Sequence, residues 1–338
     1  MPATPFSPPA TAARILQFAK APRLLVGHLP NIRYCTGLEL SAGFLLVEKR
    51  GFTLFVDARY SENAARKLGR SMRIGDPKTL PDLLKKTKVM GFEGEHIPVA
   101  QFSSWKTKYK NTKFVQTTGV IEEFRRTKSA AELRSIRKAC AITKEILLRV
   151  PSYLTRGVTE RDVAWRIAEA AHKAGAGGMA FETIVGFGKN TSQPHHRPDD
   201  TVLRAGDIVQ IDMGVTVGGY CSDYSRVYFT RRPTAEQAKV YTILSRVQRH
   251  MCKRVKAGVT THALDAEARA ILAEHGYGTE HFPHALGHGV GLDIHEGVVL
   301  SGRGPAMKLK KNEVVTIEPG LYFPGKFGMR IEDTVIVG

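Results

Sequence analysis

The sequence predicts two domains, a smaller α/β domain followed by a larger α+β domain that carries an internal two-fold repeat. Three observations point there. The 338 residues are enough for roughly two domains, each with a buried core. Near residue 127 the pattern changes from short apolar runs broken by turns to long amphipathic helices. Beyond that point the chain reads twice: a long helix over 129–150 is followed by GVTERDVAWRIAEAAHKAG from Gly157, and a second over 235–256 by GVTTHALDAEARAILAEHG from Gly258. Each copy then enters a Gly-rich, strand-like stretch.

Taken in order, the Pro-rich start over residues 1–12 reads as a flexible tail, without the basic start and apolar middle of a signal peptide. RLLVG, KVMGFEG and TKFVQTT are strand-like. GFLLVEKRGFTLFV reads as two strands around a KRG turn, and DARYSENAARKLG as a helix that Gly69 ends. This first α/β domain covers 1–127 and the second domain 128–338. The second opens on a helix whose N-cap is Ser129, with Glu132 three residues on completing a capping box. Thr234 and Gln237 repeat that signal at the second long helix.

An apolar fraction of 42% and a charged fraction of 24% are those of an ordinary globular chain. No run of 18 apolar residues occurs, so no membrane span is expected. Four scattered cysteines without CxxC or CxxH spacing exclude a disulfide framework and a thiolate zinc site, and fit a reduced, cytoplasmic setting. The net charge of +18 first suggests nucleic acid. Its excess is concentrated in residues 1–127, with 21 Lys/Arg against 10 Asp/Glu. The basic residues there are scattered singly and no recognition-helix, zinc-finger or RNA-binding signature accompanies them, so a solvated basic surface is the better reading and a nucleic-acid partner is not expected.

The segment HALGHGVGLDIHE places His284, His288 and His295 within thirteen residues. Imidazole is both a metal ligand and an acid or base near neutral pH. Two strand-like segments of the same domain, 207–230 and 313–338, carry acids where buried strands rarely tolerate them. Asp212 and Asp223 flank a Val-Gly-Gly turn at nearly equal distances, and Glu318 and Glu332 are equidistant from Gly325. Simple hairpins would set each pair face to face, where like charges repel. Bound cations resolve this better than shifted protonation. Four carboxylates and one imidazole suit Mn, Co, Zn or Fe, and bridging carboxylates suit a metal pair. Such a pair activates water against an amide or ester. No Gly-x-Ser-x-Gly elbow, Walker loop or dinucleotide fingerprint competes, and GFGKNTSQPHH lacks the ending of a phosphate loop.

QIDMG, CSDYSR, HALGHGVGLDIHE, TIEPGLY and RIEDT, in that order, closely resemble the metallopeptidases of the pita-bread fold: Xaa-Pro dipeptidases (prolidases), Xaa-Pro aminopeptidases and methionine aminopeptidases. The resemblance implies a pseudo-two-fold pita-bread domain over 128–338 and two divalent ions, with Mn favoured over Co or Zn. It assigns Asp212, Asp223, His288, Glu318 and Glu332 as metal ligands, with Glu318 also the proton acceptor, and assigns no residue to any other cofactor. It places His195 on the substrate side and His284 and His295 where they steady the peptide carbonyl and the tetrahedral intermediate. Arg330 falls near the substrate. PNIRYCTGLELSAGFLLV and DARYSENA resemble the creatinase-type N-terminal domain of the proline-specific members. That favours proline-containing peptides as substrates over a methionine aminopeptidase activity, and the complete ligand set argues against a non-enzymatic basic binding protein. The resemblance also implies a homodimer.

Overall fold

The computed structural model describes residues 8–338, and the chain divides into two compact units, one through Arg125 and one from Arg126 to Gly338. The first unit begins with α1 (Pro8–Ala19). Here the expectation of a flexible tail over 1–12 is corrected for residues 8–12, which are helical; residues 1–7 lie outside the described residues. Pro8 and Pro9 occupy the first turn of α1, where a missing N–H costs nothing, and Ala12, Ile15 and Ala19 bury one face of the helix.

The chain continues through β1 (Arg23–Val26), α2 (Leu29–Thr36), β2 (Phe44–Glu48), β3 (Gly51–Phe55), α3 (Ala58–Leu68) and β4 (Arg73–Gly75). It then runs through α4 (Leu80–Lys86), β5 (Val89–Glu93), α5 (Val99–Lys108) and β6 (Lys113–Thr117), followed by α6 (Val120–Arg126). The strands form one mixed sheet in the order β4-β3-β2-β1-β5-β6. Glu48 pairs with Gly51, so Lys49 and Arg50 make the expected turn. Asp57 caps α3 through Arg59 N, and Gly69 ends it at φ 53°. β1 and β5 are parallel neighbours, and the chain leaves them toward opposite edges of the sheet.

The second unit opens with α7 (Ala130–Tyr153) and α8 (Glu160–Lys173), capped by Ser129 and Thr159. Next come β7 (Gly178–Met179), β8 (Ile184–Phe187), β9 (Ile208–Met213), β10 (Val215–Val217), β11 (Tyr220–Cys221) and β12 (Tyr224–Phe229). The second pass holds α9 (Ala235–Arg254), α10 (Thr261–Glu274), β13 (Gly287–His288) and β14 (Val299–Leu300). It finishes with β15 (Val314–Ile317), β16 (Gly320–Phe323), β17 (Phe327–Arg330) and β18 (Asp333–Ile336). In each pass an extended segment closes on the loop before the second helix: Leu203 N donates to Val158 O and Leu309 N to Val259 O, both at 2.9 Å. Each pass also has its own core. Ile142, Ile146, Val163 and Ile167 pack with Val209 and Ile211, whereas Leu244, Val247, Leu264 and Leu272 pack with Val315 and Ile317. A fully buried aliphatic side chain contributes roughly 1.5–3 kcal/mol, and a further cluster of Leu133, Ile136, Cys221, Val290 and Val314 joins the two halves. The two-fold repeat read from the sequence is a repeat of helix pair, hairpin and core.

Among the described residues, no helix is long and apolar enough to cross a membrane, and the four cysteines are free.

Candidate metal centre

The two hairpins of the second unit set out the acidic residues. In the first, Gly218 and Gly219 form a two-residue turn with φ of 59° and 88°, the primed type that matches strand twist. Val217 therefore pairs with Tyr220, and Asp212 with Ser225. The expected direct opposition of Asp212 and Asp223 is corrected: the turn is centred between Gly218 and Gly219, one residue later than that opposition requires, which moves the partner of Asp212 by two and makes the acids diagonal neighbours on one face. In the second hairpin, Ile317 pairs with Asp333 and Gly320 with Arg330. That register, carried through the gap, sets Glu318 across from Glu332. Asp223, Glu318 and Glu332 all fall in interruptions of the ladders, between β11 and β12, β15 and β16, and β17 and β18.

Two glycines allow the approach of these segments. A Cβ on Gly214 would lie 1.9 Å from Ser222 O, and one on Gly287 would lie 2.0 Å from Thr316 O. Gly287 thus lets β13 press against β15, which carries His288 to the carboxylates. His288 N donates to Thr316 Oγ1 at 3.0 Å, and its Nδ1 lies 3.1 Å from Gly289 O. With the proton on Nδ1, the Nε2 lone pair faces Asp223 Oδ2 at 3.4 Å and Glu318 Oε1 at 3.6 Å. Asp223, His288 and Glu332 each present a ligand atom within 4.8 Å of the others.

Arg330 ties the acids together from below. Its guanidinium is buried, donating from Nη2 to Asp212 Oδ2, from Nε to Ser225 Oγ at 2.9 Å and from Nη1 to Tyr322 Oη at 2.6 Å. Ser225 Oγ in turn donates to Glu332 Oε2 at 2.9 Å. Tyr322 Oη lies 3.0 Å from His284 Nε2, while His284 Nδ1 lies 2.9 Å from Ala285 O and 3.9 Å from Glu318 Oε2. Both nitrogens of His284 are therefore engaged. The His295 ring stands edge-on to His288 with centroids 4.1 Å apart. A cavity of about 530 Å³ covers the acids and is lined also by His195, His284 and His295 and by the apolar Phe181, Ile294 and Val299. The structure thus brings together all nine residues singled out in the sequence. It separates the adjacent pair His195 and His196: the first is exposed in the cavity, and the second is buried against Glu160 Oε2 at 2.6 Å.

The electrostatics are those of crowded acids. Burial, and then the neighbouring carboxylates, hold Asp223 and Glu332 well above the usual carboxylate range; burial raises Glu318 as well. Burial and then Arg330 push His284 down to about 3, and burial and then His288 push His295 down to about 4, so both imidazoles are neutral. Two buried oxygens, Asp212 Oδ1 and Asp223 Oδ1, have no hydrogen-bond partner. An unsatisfied buried carboxylate is costly, and crowded among other carboxylates with an imidazole nitrogen beside them it calls for a cation. A set rich in oxygen with one nitrogen donor is chemically suited to first-row divalent ions. The residues present fit divalent metal.

Sequence reasoning missed Tyr322, Ser225 and Thr316, which aim the charged groups without carrying charge. Ser225 and Tyr322 stand inside CSDYSR and TIEPGLY, so their proximity to the acids was visible; their partners were not.

A carboxylate-rich pocket with one inward imidazole, set between two repeats of a helix-and-hairpin unit, defines a metal-dependent hydrolase. The chain belongs to metallopeptidase family M24, whose model matches residues 134–338, and residues 11–127 match the Creatinase/Prolidase N-terminal domain. It is 33% identical over 317 residues to the Xaa-Pro dipeptidase of Pyrococcus furiosus, covering 93% of this chain and 90% of that one. Among solved structures it is similar to the Xaa-Pro dipeptidase from Bacillus anthracis, with a TM-score of 0.91 and 30% identity over 97% of this chain and 94% of the other. It is similar also to the X-Pro aminopeptidase from Thermotoga maritima, with a TM-score of 0.85 and 32% identity over 96% and 95% of the two chains. Membership brings with it the divalent metal ions of a metallopeptidase.

Proposed function

We propose that this protein hydrolyses the peptide bond on the amino side of proline, in dipeptides or at peptide N-termini. Two divalent ions, Mn in preference to Co or Zn, are held by Asp212, Asp223, His288, Glu318 and Glu332. The observation that carries this is the meeting of those five side chains around two carboxylate oxygens without partners, under a cavity large enough for a small peptide. When bound, the ions supply Lewis acidity and bring the pKa of a water toward neutrality. Glu318 accepts the proton of the attacking water and returns it to the proline nitrogen as the C–N bond breaks. His284, held near Glu318 by Ala285 and Tyr322, stands on that proton's path. His195 and His295 reach the cavity surface and donate to the carbonyl oxygen as it gains charge. Arg330 is a positioning residue: it fixes Asp212 and, through Ser225, Glu332.

Proline specificity has a physical basis. A bond before proline is a tertiary amide without N–H, so the site must read ring shape, and Phe181, Ile294 and Val299 offer an apolar wall for a pyrrolidine ring. The protein acts in the cytoplasm as a homodimer, for which sedimentation equilibrium reads about twice the 37.3 kDa of one chain. Specificity is tested by giving Mn-loaded protein Ala-Pro, Ala-Pro-Ala and Met-Ala-Ser in separate assays. Cleavage of Ala-Pro alone marks a dipeptidase, and cleavage of Ala-Pro-Ala an aminopeptidase of the Xaa-Pro type. Cleavage of Met-Ala-Ser alone contradicts the proposal.

A further inference from the structure

A second cluster of ligating side chains lies in the first unit, apart from the residues of the peptidase site. His28 follows β1, His96 follows β5 and Glu122 lies in α6. One ligand atom of each lies within 4.8 Å of the other two. His96 Nε2 is 3.1 Å and His28 Nδ1 is 3.9 Å from the same oxygen, Glu122 Oε1. All three side chains are half-buried, with 23% to 27% of their surface exposed.

Several features mark this as a prepared site. Asn31 Nδ2 donates to Glu122 Oε1 and to Glu93 Oε1, both at 2.6 Å, and Asn31 Oδ1 accepts from Arg125 Nη1 at 2.7 Å. The Glu122 carboxylate is thereby aimed by a side chain that is itself fixed, as the outer partners of metal ligands do. Glu93 Oε2 accepts from Gly27 N at 2.7 Å and from His28 N at 2.8 Å, which fixes the backbone that carries the first imidazole. The place in the fold agrees. β1 and β5 are parallel neighbours from which the chain departs to opposite edges of the sheet, and open α/β sheets bind ligands at the carboxyl ends of such strands. His28 and His96 are the residues that those two ends present.

We propose that His28, His96 and Glu122 form a mononuclear site for a divalent transition metal, with Zn the best match to two imidazoles and one carboxylate. The site fastens the loops after β1 and β5 to α6. The imidazole rings stack, with centroids 3.6 Å apart and planes 3° from parallel. Parallel rings cannot both point a lone pair at one ion, so binding turns one ring out of the stack.

The test is a count by difference on the full chain. Wild type and the double variant His28→Ala/His96→Ala are stripped with chelator and dialysed against Zn. Bound Zn is then measured by elemental analysis and by native mass spectrometry. The expected result is one Zn fewer per chain in the double variant, with cleavage of Ala-Pro after Mn loading unchanged. A second variant, Glu122→Gln, keeps the shape of the site, removes the carboxylate and loses the same ion, which guards against misfolding of the double variant. The loss recurs in an Asp223→Asn background, so it is read whether or not the second-unit cluster holds metal. Equal Zn content in wild type and Glu122→Gln would overturn the proposal and leave the pair as stacked imidazoles sharing a proton with Glu122.

Discussion

Asp223 gathers in one side chain the conflict on which this site is built. It is buried, bonded through its backbone to Thr334, 3.4 Å from His288, and left with an oxygen that no donor reaches. Chelated protein should therefore prefer protonated acids. Asp223 and Glu332 titrate above their unfolded values, so the protons they hold stabilise the fold at low pH, and that stability is lost as pH rises through their raised folded values. In chelator, the thermal midpoint of wild type should fall more steeply from pH 5 to pH 8 than that of Asp223→Asn, and Mn should restore the wild type alone. Parallel melting curves for the two proteins in chelator would show that the carboxylates are not in conflict. Residue chemistry of this kind was legible in advance: buried strands spelled IVQID and VVTIE do not carry acids without a reason. Illegible was the partner of His196, because only the fold brings Glu160 to it.

Among the elements, the turns and caps decide most. Ser129 and Thr234 announced their helices correctly, because a capping box is a local bargain between side chain and backbone that owes nothing to the rest of the fold. The first hairpin was misread by one residue at its centre, since VGG can turn in two ways and the choice falls to the pair of positive φ values at Gly218 and Gly219. Gly219→Ala should cost about 1–2 kcal/mol, the strain of a side chain at positive φ, and denaturant titration will measure it. Loss of Mn affinity should accompany it, because this turn sets the diagonal of Asp212 and Asp223. The N-terminal prolines misled in another way: composition suggested a tail, while the apolar spacing of Ala12, Ile15 and Ala19 already described a helix face. A buried ion pair offers a further test at this scale. Lys128 Nζ meets Glu296 Oε1 at 2.8 Å, and Glu296 Oε2 accepts from the amides of Leu292 and Asp293 in the loop that bears His295. Breaking such a pair from one side costs about 3–5 kcal/mol. Lys128→Met should show that loss in equilibrium unfolding and should also lower turnover, whereas loss of stability alone would detach this loop from catalysis.

At the scale of the whole molecule, two repeats each bring a hairpin to one pocket, and neither hairpin alone carries all five of the proposed ligands. Asp212 and Asp223 come from the first repeat, His288, Glu318 and Glu332 from the second. The repeat itself was legible from the doubled GVT helices. The gathering of the acids into one ligand set was legible through the resemblance; the contacts that bring them there were not, since sequence spacing is silent about contacts between distant hairpins. The central claim is that these five residues hold the metal that drives hydrolysis. Its most direct test is the rate of Ala-Pro cleavage by chelator-stripped protein as Mn is restored, with Asp223→Asn and Glu332→Gln beside wild type. Wild type should be silent when stripped and recover fully with Mn, while both variants stay at least about a hundredfold below it at every Mn concentration. Recovery of either variant to the wild-type rate, or cleavage by the stripped wild type, would contradict the account.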